Sequence, residues 1–432
     1  SPGGKVGLRK TSLGMRSPSF SPPEGKGGVG PLSALLPTVA SVITTLAVCG
    51  YRSLRDVVVG LGRLTVVTGP NGSGKSSLYR ALHLLADCAQ GRVVGSLARE
   101  GGLQSVLWAG PETLGGARRG YAVEGTRRKG PVSLLLGFAS EGFGYLIDLG
   151  LPVAQAESAF NRDPQIKREL IFSGEVARPG STLLQRKSST VATREGRGWT
   201  DLAIGLSPAA SMMTELADPG RAPEILAVRE QIRAWRFYDG FRVDAGAPAR
   251  RPQVGTRTEV LSGDGHDVAA AVQTILEIGD AARLQASVAD AFDGSRLAVF
   301  WEGGLCEVAV HQPGMLRPLR GSELSDGTLR YLLLVAALHT PRPPELMVLN
   351  EPETSLHPDL VPPLARLIAR AAQQTQIVVV THSSGLLAAL EEAAADTLPD
   401  EITSITLQKD LGETRIEGQG LLTTPAWHWG SR

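Results

Sequence analysis

Apolar positions along this chain of 432 residues fall into runs whose spacing changes with position. From Val42, "VITTLAVCGYRSLRDVVVGLGRLTVVTG" reads as strand, turn, strand, and then a third apolar strand at Leu64–Thr68. Ser76–Ala89 follows, with Leu78, Leu82 and Leu85 at helical spacing. Between residues 103 and 150 the apolar segments Tyr121–Val123, Ser133–Phe138 and Gly144–Leu149 are short and set between Gly and charged turns, which predicts antiparallel hairpins. Residues 155–260 mix short strands and polar loops with a helix near Pro223–Trp235. Asp267–Phe292 reads as two helices, and "RLAVFWEGGLCEVAVH" as a hairpin. The last third then alternates: helix Ser325–Leu338, strand Leu346–Leu349, helix Leu360–Gln373, strand Ile377–Thr381. Such alternation predicts a parallel sheet, with Leu346–Leu349 expected beside Leu64–Thr68. The pattern contains no internal repeat and no heptad run long enough for a coiled-coil arm.

Composition changes this picture little. Hydrophobic residues make up 42% of the chain, enough for a full core. The formal net charge of +1 supplies no global field toward nucleic acid. Any such contact needs a local patch; Arg118–Arg119 and Arg127–Lys129 are candidates, and each also reads as a solvated hairpin edge. The three cysteines, Cys49, Cys88 and Cys306, form neither a metal spacing nor a disulfide framework, which fits a reducing cytoplasm. Leu32–Val48 leans apolar, but Pro37 interrupts it and Thr44 and Thr45 dilute it, so its second half reads as a strand rather than a signal segment or membrane span. Residues 1–32 are rich in Gly, Pro and Ser, and the extension 1–41 is expected to be disordered.

The strongest chemical signal is "TVVTGPNGSGKSSLYRAL". Gly69, Pro70, Asn71, Gly72, Ser73, Gly74, Lys75 and Ser76 make the G-x-x-x-x-G-K-S pattern, with an apolar strand before and a helix after, and Ser77 follows. Glycines let backbone N–H groups turn inward around a phosphate, and the helix N-terminus adds positive dipole. Lys75 is then expected to reach the β- and γ-phosphates of ATP, and Ser76 to bind Mg²⁺. A second strand ends in "LMVLNEPETSLHP". Asn350 is the candidate metal-shell residue at its tip, and Glu351 the candidate that accepts a proton from, or orients, the attacking water. An Asp at 350 would bring a full negative charge; Asn brings only a carbonyl, so weaker metal affinity and slow turnover are expected.

Two more segments complete the pattern. "LSDGTLRYLLLVAAL" puts Ser-Asp-Gly at the start of an apolar helix, where Ser325 is also a good N-cap. "IVVVTHSSGLL" puts His382 at the end of another apolar strand. The order of phosphate loop, Ser-Asp-Gly helix, strand-terminal Glu, Leu-His-Pro turn and strand-terminal His resembles ATP-binding-cassette ATPases, and within them the RecF/SMC-like branch. The opening "GYRSLRDVVVGLGRLTVVTGPNGSGKSSL" is similar to that of RecF. Motif-level resemblance covers residues 43–110 and 320–390.

The resemblance implies an α/β fold: a P-loop ABC-type head with a mixed central sheet, an antiparallel β lobe and a helical or loop-rich insertion. It divides the chain into the extension 1–41, a first lobe 42–150, an insertion 151–320 and a C-terminal lobe 321–432. It implies a site shared by two heads of a homodimer, in which Ser325 and Gly327 contact the γ-phosphate of the partner's ATP. His382 would hold the γ-phosphate and the water, Ser355–Asp359 would cross the interface, and Gln104 is the candidate Mg²⁺-sensing glutamine. The implied role is an ATP-gated clamp on double-stranded DNA in repair or maintenance. The alternative is an ATP switch that restrains an effector protein such as a nuclease or toxin. The long stretch between phosphate loop and signature argues against a transporter motor.

Overall fold

The structure, a computed structural model, describes residues 42–121, 133–153, 156, 158–399 and 401–430. The expected extension 1–41 and the basic cluster Arg127–Lys129 lie outside them, as does most of Tyr121–Val123.

The site is positioned by a six-stranded sheet in the order Arg236–Tyr238, Leu346–Asn350, Gln376–Val380, Leu64–Thr68, Ile402–Asp410, Glu413–Ile416. The first five strands are parallel and the last closes an antiparallel hairpin. Leu346–Leu349 and Leu64–Val67 are almost wholly buried, as expected of strands covered on both faces. The two are not neighbours: Gln376–Val380 lies between them, pairing Asn350 with Val380 and Val380 with Val67. All three strands are continuous apolar runs, and such runs specify burial without specifying which strand sits beside which. The register nonetheless brings their C-terminal ends to one edge, where open α/β sheets bind ligands.

An eight-stranded antiparallel sheet stands beside it, in the order Leu54–Gly60, Ile43–Tyr51, Ser133–Ser140, Phe143–Gly150, Gln165–Ser173, Thr182–Lys187, Thr190–Glu195, Gly198–Ile204. Residues 165–204 thus continue the sheet of the first lobe, while helices Pro223–Arg233, Val268–Ile278 and Ala281–Ala291 occupy the sequence that follows. Ser133–Ser140 and Phe143–Gly150 are buried at nearly every position rather than at alternate ones. One face packs into the main core with the helices Lys75–Ala89 and Pro223–Arg233. The other face is covered by Trp427 and Trp429, which pack on Ala139, Leu146, Leu170 and Phe172. Gln376, 1% exposed, joins the two sheets: its amide accepts from Ile43 N at 2.9 Å and donates to Ile43 O at 2.7 Å and Gly62 O at 3.0 Å.

A smaller sheet is built on the hairpin Arg296–Glu302 and Leu305–His311, with Gln253–Val254 and Leu319–Arg320 at its edges. It shares a second core with helix Asp326–Leu338, whose residues Tyr331–Leu338 are all buried.

Candidate functional site

Lys75 is the first residue of helix Lys75–Ala89, and Gly74 before it holds φ 111°, a conformation that L side chains rarely adopt. The loop is pinned from the far edge of the sheet: Thr414 Oγ1 donates to Ser73 O at 2.7 Å and lies 2.8 Å from Ser53 Oγ. Ser73 is buried and its hydroxyl has no partner among the described residues. The Lys75 ammonium is folded onto its own loop, donating to Gly69 O at 2.5 Å and Pro70 O at 3.1 Å. Burial lowers its pKa, and the nearby Glu351 carboxylate opposes that shift.

These residues border a cavity of about 810 Å³. Asn71, Gly72, Gly74, Lys75, Ser76 and Ser77 line it, and so does Glu351 from a different strand. Glu351 sits at φ 48°, unusual for a residue with a side chain, and its N–H donates to Val380 O at 2.7 Å. Arg330, on helix Asp326–Leu338, donates from Nη2 to Glu351 O at 3.1 Å. Burial lowers the Arg330 pKa, opposed by Glu353 and Glu351. His382 Nδ1 lies 3.5 Å from Glu351 Oε1 and 3.9 Å from Glu353 Oε1, and Thr381 Oγ1 donates to Glu353. Lys75, Ser76, Glu351 and His382 are therefore brought together. Asn350 is half-buried at the tip of its strand, one residue from the cavity wall.

Ser325 and Gly327 are elsewhere. They border a separate cavity of about 650 Å³ with Thr328, Ser355, His357 and Asp359. Ser325 caps its helix, accepting from Thr328 N at 3.1 Å. Asp326 accepts from Arg250 Nη2 at 2.5 Å, and Arg250 also donates to Leu324 O at 2.6 Å and Gly321 O at 3.1 Å, so the start of this helix is held from below. At Gly327 the helix runs against the 355 loop, where a Cβ would lie 2.9 Å from Ser355 O.

Gln104 is not brought to the phosphate cavity. It lies on the short helix Leu103–Val106, which turns Leu103 and Val106 inward and leaves Gln104 exposed; Ser105 and Leu107 line the cavity instead. Arg118 is not a free cation: it pairs with Glu413 and, at 3.6 Å, with Asp410. Sequence reasoning missed Arg52, Trp108, Thr414 and Arg330. Arg52 lay in the quoted "GYRSL" opening and Arg330 in the quoted "LSDGTLRYLLLVAAL"; Thr414 carries no local signal, because its contacts are made across distant segments.

Residues 64–388 match the family described as "AAA domain, putative AbiEii toxin, Type IV TA system". The chain belongs to this family. It is an ATPase, with the phosphate loop and the strand-terminal Glu351 and His382 on one α/β scaffold. Among solved structures it is similar to an SMC head bound to the C-winged helix domain of ScpA, at 13% identity and TM-score 0.47 over 88% of this chain and 98% of that one. The SMC head domain from Thermotoga maritima matches at 14% identity and TM-score 0.40, over 88% and 100%. An Smc head with an extended coiled coil, bound to the C-terminal domain of ScpA derived from Pyrococcus furiosus, matches at 12% and 0.46, over 87% and 96%. No curated protein matches. Among the described residues of this ATPase, no helix is long and apolar enough to cross a membrane.

Proposed function

We propose that two copies of this chain close head to head on ATP, each completing the other's site. The separation of the half-sites carries this reading: Ser325 and Gly327 border one cavity and the phosphate loop with Glu351 another. Within one chain the signature would have nothing to act on. In a pair, the N-terminus of helix Asp326–Leu338 would face the γ-phosphate bound at the partner's loop, where its dipole favours negative charge.

In the closed pair Lys75 would exchange the carbonyls of Gly69 and Pro70 for phosphate oxygens. The oxygen donors Ser76 and Asn350, beside the triphosphate, fit a hard cation that keeps several waters, as Mg²⁺ does. Among the described residues no three His, Cys, Asp or Glu side chains could cage a metal alone, so the phosphates would supply much of its shell. Mg²⁺ would neutralise charge on the β- and γ-oxygens. Glu351 would orient the attacking water and His382 would report the γ-phosphate to the loop. The output of such a switch is a surface present only in the dimer, and we assign it to RecF-like work on duplex DNA. A second reading keeps the switch and has it govern an effector protein; the family's description, a putative toxin of a toxin–antitoxin system, shares the defence setting of that reading without naming an effector.

The test is Glu351→Gln with ATP and Mg²⁺ on size exclusion. The expected product is a stable dimer that reverts to monomer without nucleotide. A monomer under all conditions would overturn the two-headed mechanism.

A further inference from the structure

We infer that Glu353 is a positioning residue for the ATPase reaction: its carboxylate holds the segment on both sides of His382 and so sets where the imidazole stands beside Glu351. This rests on the reading of His382 as a residue of the ATP site.

The turn after strand Leu346–Asn350 presents two carboxylates in different ways. Glu351 borders the phosphate cavity and its side chain is 41% exposed, whereas that of Glu353, two residues on, is 9% exposed. The turn is closed by Thr354 N–H, which donates to Glu351 O at 3.1 Å. Glu351 is therefore the carboxylate offered to a ligand, and Glu353 is the one folded inward.

What Glu353 holds is the segment that carries His382. The hydroxyl of Thr381, a residue with no exposed surface, donates to the Glu353 carboxylate, and Thr381 Oγ1 in turn accepts from Ser383 N–H at 2.9 Å. A hydroxyl has one proton to give, so this one is committed, and it links the residues before and after His382 to a single carboxylate. The same two residues are anchored further out. Thr381 N–H donates to Val67 O, on the phosphate-loop strand, at 3.0 Å; Ser383 caps helix Ser384–Thr397, accepting from Leu386 N at 3.1 Å. The His382 ring projects from between these anchors, with Nδ1 3.5 Å from Glu351 Oε1 and 3.9 Å from Glu353 Oε1. At 3.9 Å Glu353 makes no hydrogen bond to the ring; it acts through Thr381 and through its field. With Nδ1 turned to the carboxylates, Nε2 is the nitrogen left for a ligand.

Stability alone does not account for this arrangement. Glu353 Oε2 is buried and has no partner among the described residues, and a buried carboxylate left half-satisfied costs free energy. Its counter-charge is Arg330 on helix Asp326–Leu338: burial works against the guanidinium's charge, and Glu353, ahead of Glu351, supports it. An apolar side chain of similar size would fill the space without an unpaired oxygen.

The experiment measures steady-state ATPase and thermal unfolding of the full chain for wild type, Glu353→Met, Thr381→Val, Thr381→Ser, His382→Ala, and the two double variants that add His382→Ala to Glu353→Met or to Thr381→Val. Glu353→Met is expected to lower kcat about 10- to 100-fold while KM for ATP stays within about threefold, because the imidazole shifts and no contact to bound ATP is removed. Thr381→Val should act in the same direction, and Thr381→Ser, which keeps the hydroxyl, should recover most of that loss. With His382→Ala in place, neither Glu353→Met nor Thr381→Val should lower kcat more than about twofold further. Unchanged kcat in Glu353→Met, losses that multiply with that of His382→Ala, or Thr381→Ser as slow as Thr381→Val would overturn the inference and leave Glu353 a role in folding only. If Glu353→Met does not fold, the Thr381 variants decide the matter by the same criteria. His382→Ala turning over ATP as fast as wild type would instead overturn the reading of His382 on which the inference stands.

Discussion

Asn350 ends its strand with a neutral amide one residue before Glu351, at the edge where the phosphate loop also ends. A carbonyl can join the water shell of Mg²⁺ but cannot balance its charge. Asn350→Asp is therefore expected to lower the Mg²⁺ concentration for half-maximal ATPase by about tenfold, worth about 1.4 kcal/mol. A titration with unchanged midpoint would remove this side chain from the metal's surroundings. Glu351 raises a different point. Its φ of 48° costs on the order of 1 kcal/mol and is held by the bond to Val380 O and by the Arg330 contact at its own carbonyl. The residue proposed to aim the water is thus fixed by its backbone, and the same carbonyl ties it to the signature helix of its own chain.

At the scale of elements, helix Asp326–Leu338 links the proposed interface to the core. Its tip rests on the 355 loop with no room for a methyl group, so Gly327→Ala is expected to cost about 1–3 kcal/mol of stability or to push the loop away. Thermal unfolding measures the first outcome and loss of dimer the second. The other end carries His339, half-buried and within 2.9 Å of Ser287 Oγ, where desolvation and Arg283 hold its pKa down to about 4. The sign follows from that depression. Between the unfolded value near 6.5 and the folded value near 4, the unfolded chain binds a proton that the folded chain refuses, so stability is lost as pH falls through this window. By pH 5 the loss is about 2 kcal/mol. Melting curves from pH 7.5 to 5 should show it in wild type and show it diminished in His339→Gln; equal slopes would place the acid sensitivity elsewhere.

For the whole molecule, the question is what the proposed ATP-closed pair would grip. If it is duplex DNA, Glu351→Gln with ATP should bind it with an affinity that falls linearly in log salt. Arg118 is already engaged by Glu413, so Arg118→Ala should leave that slope unchanged. No DNA binding, together with an effector protein that co-purifies with the ATP-trapped form, would move the assignment to the second reading.

Much of the candidate site's local framework was legible in the sequence, because its parts are local. A strand, a glycine-rich turn and a helix specify a phosphate loop within a few residues, and apolar runs ending in Glu351 and His382 mark two more strand tips. The helical spacing after Ser325 marks the signature helix in the same way. What the sequence left open depends on pairings between segments far apart. The insertion of Gln376–Val380 between the other two strands, the clamp of Thr414 on Ser73 across 341 residues, and the bridge from Gln376 to Ile43 across 333 have no local imprint. The same holds for the cover that Trp427 and Trp429 lay over the antiparallel sheet, and for the wall that Trp108 gives the cavity. Local sequence fixes backbone conformation and which side chains seek burial. Only the packed chain decides which buried faces meet, and so whether two candidate residues share one cavity or, like Glu351 and Ser325, stand in different ones.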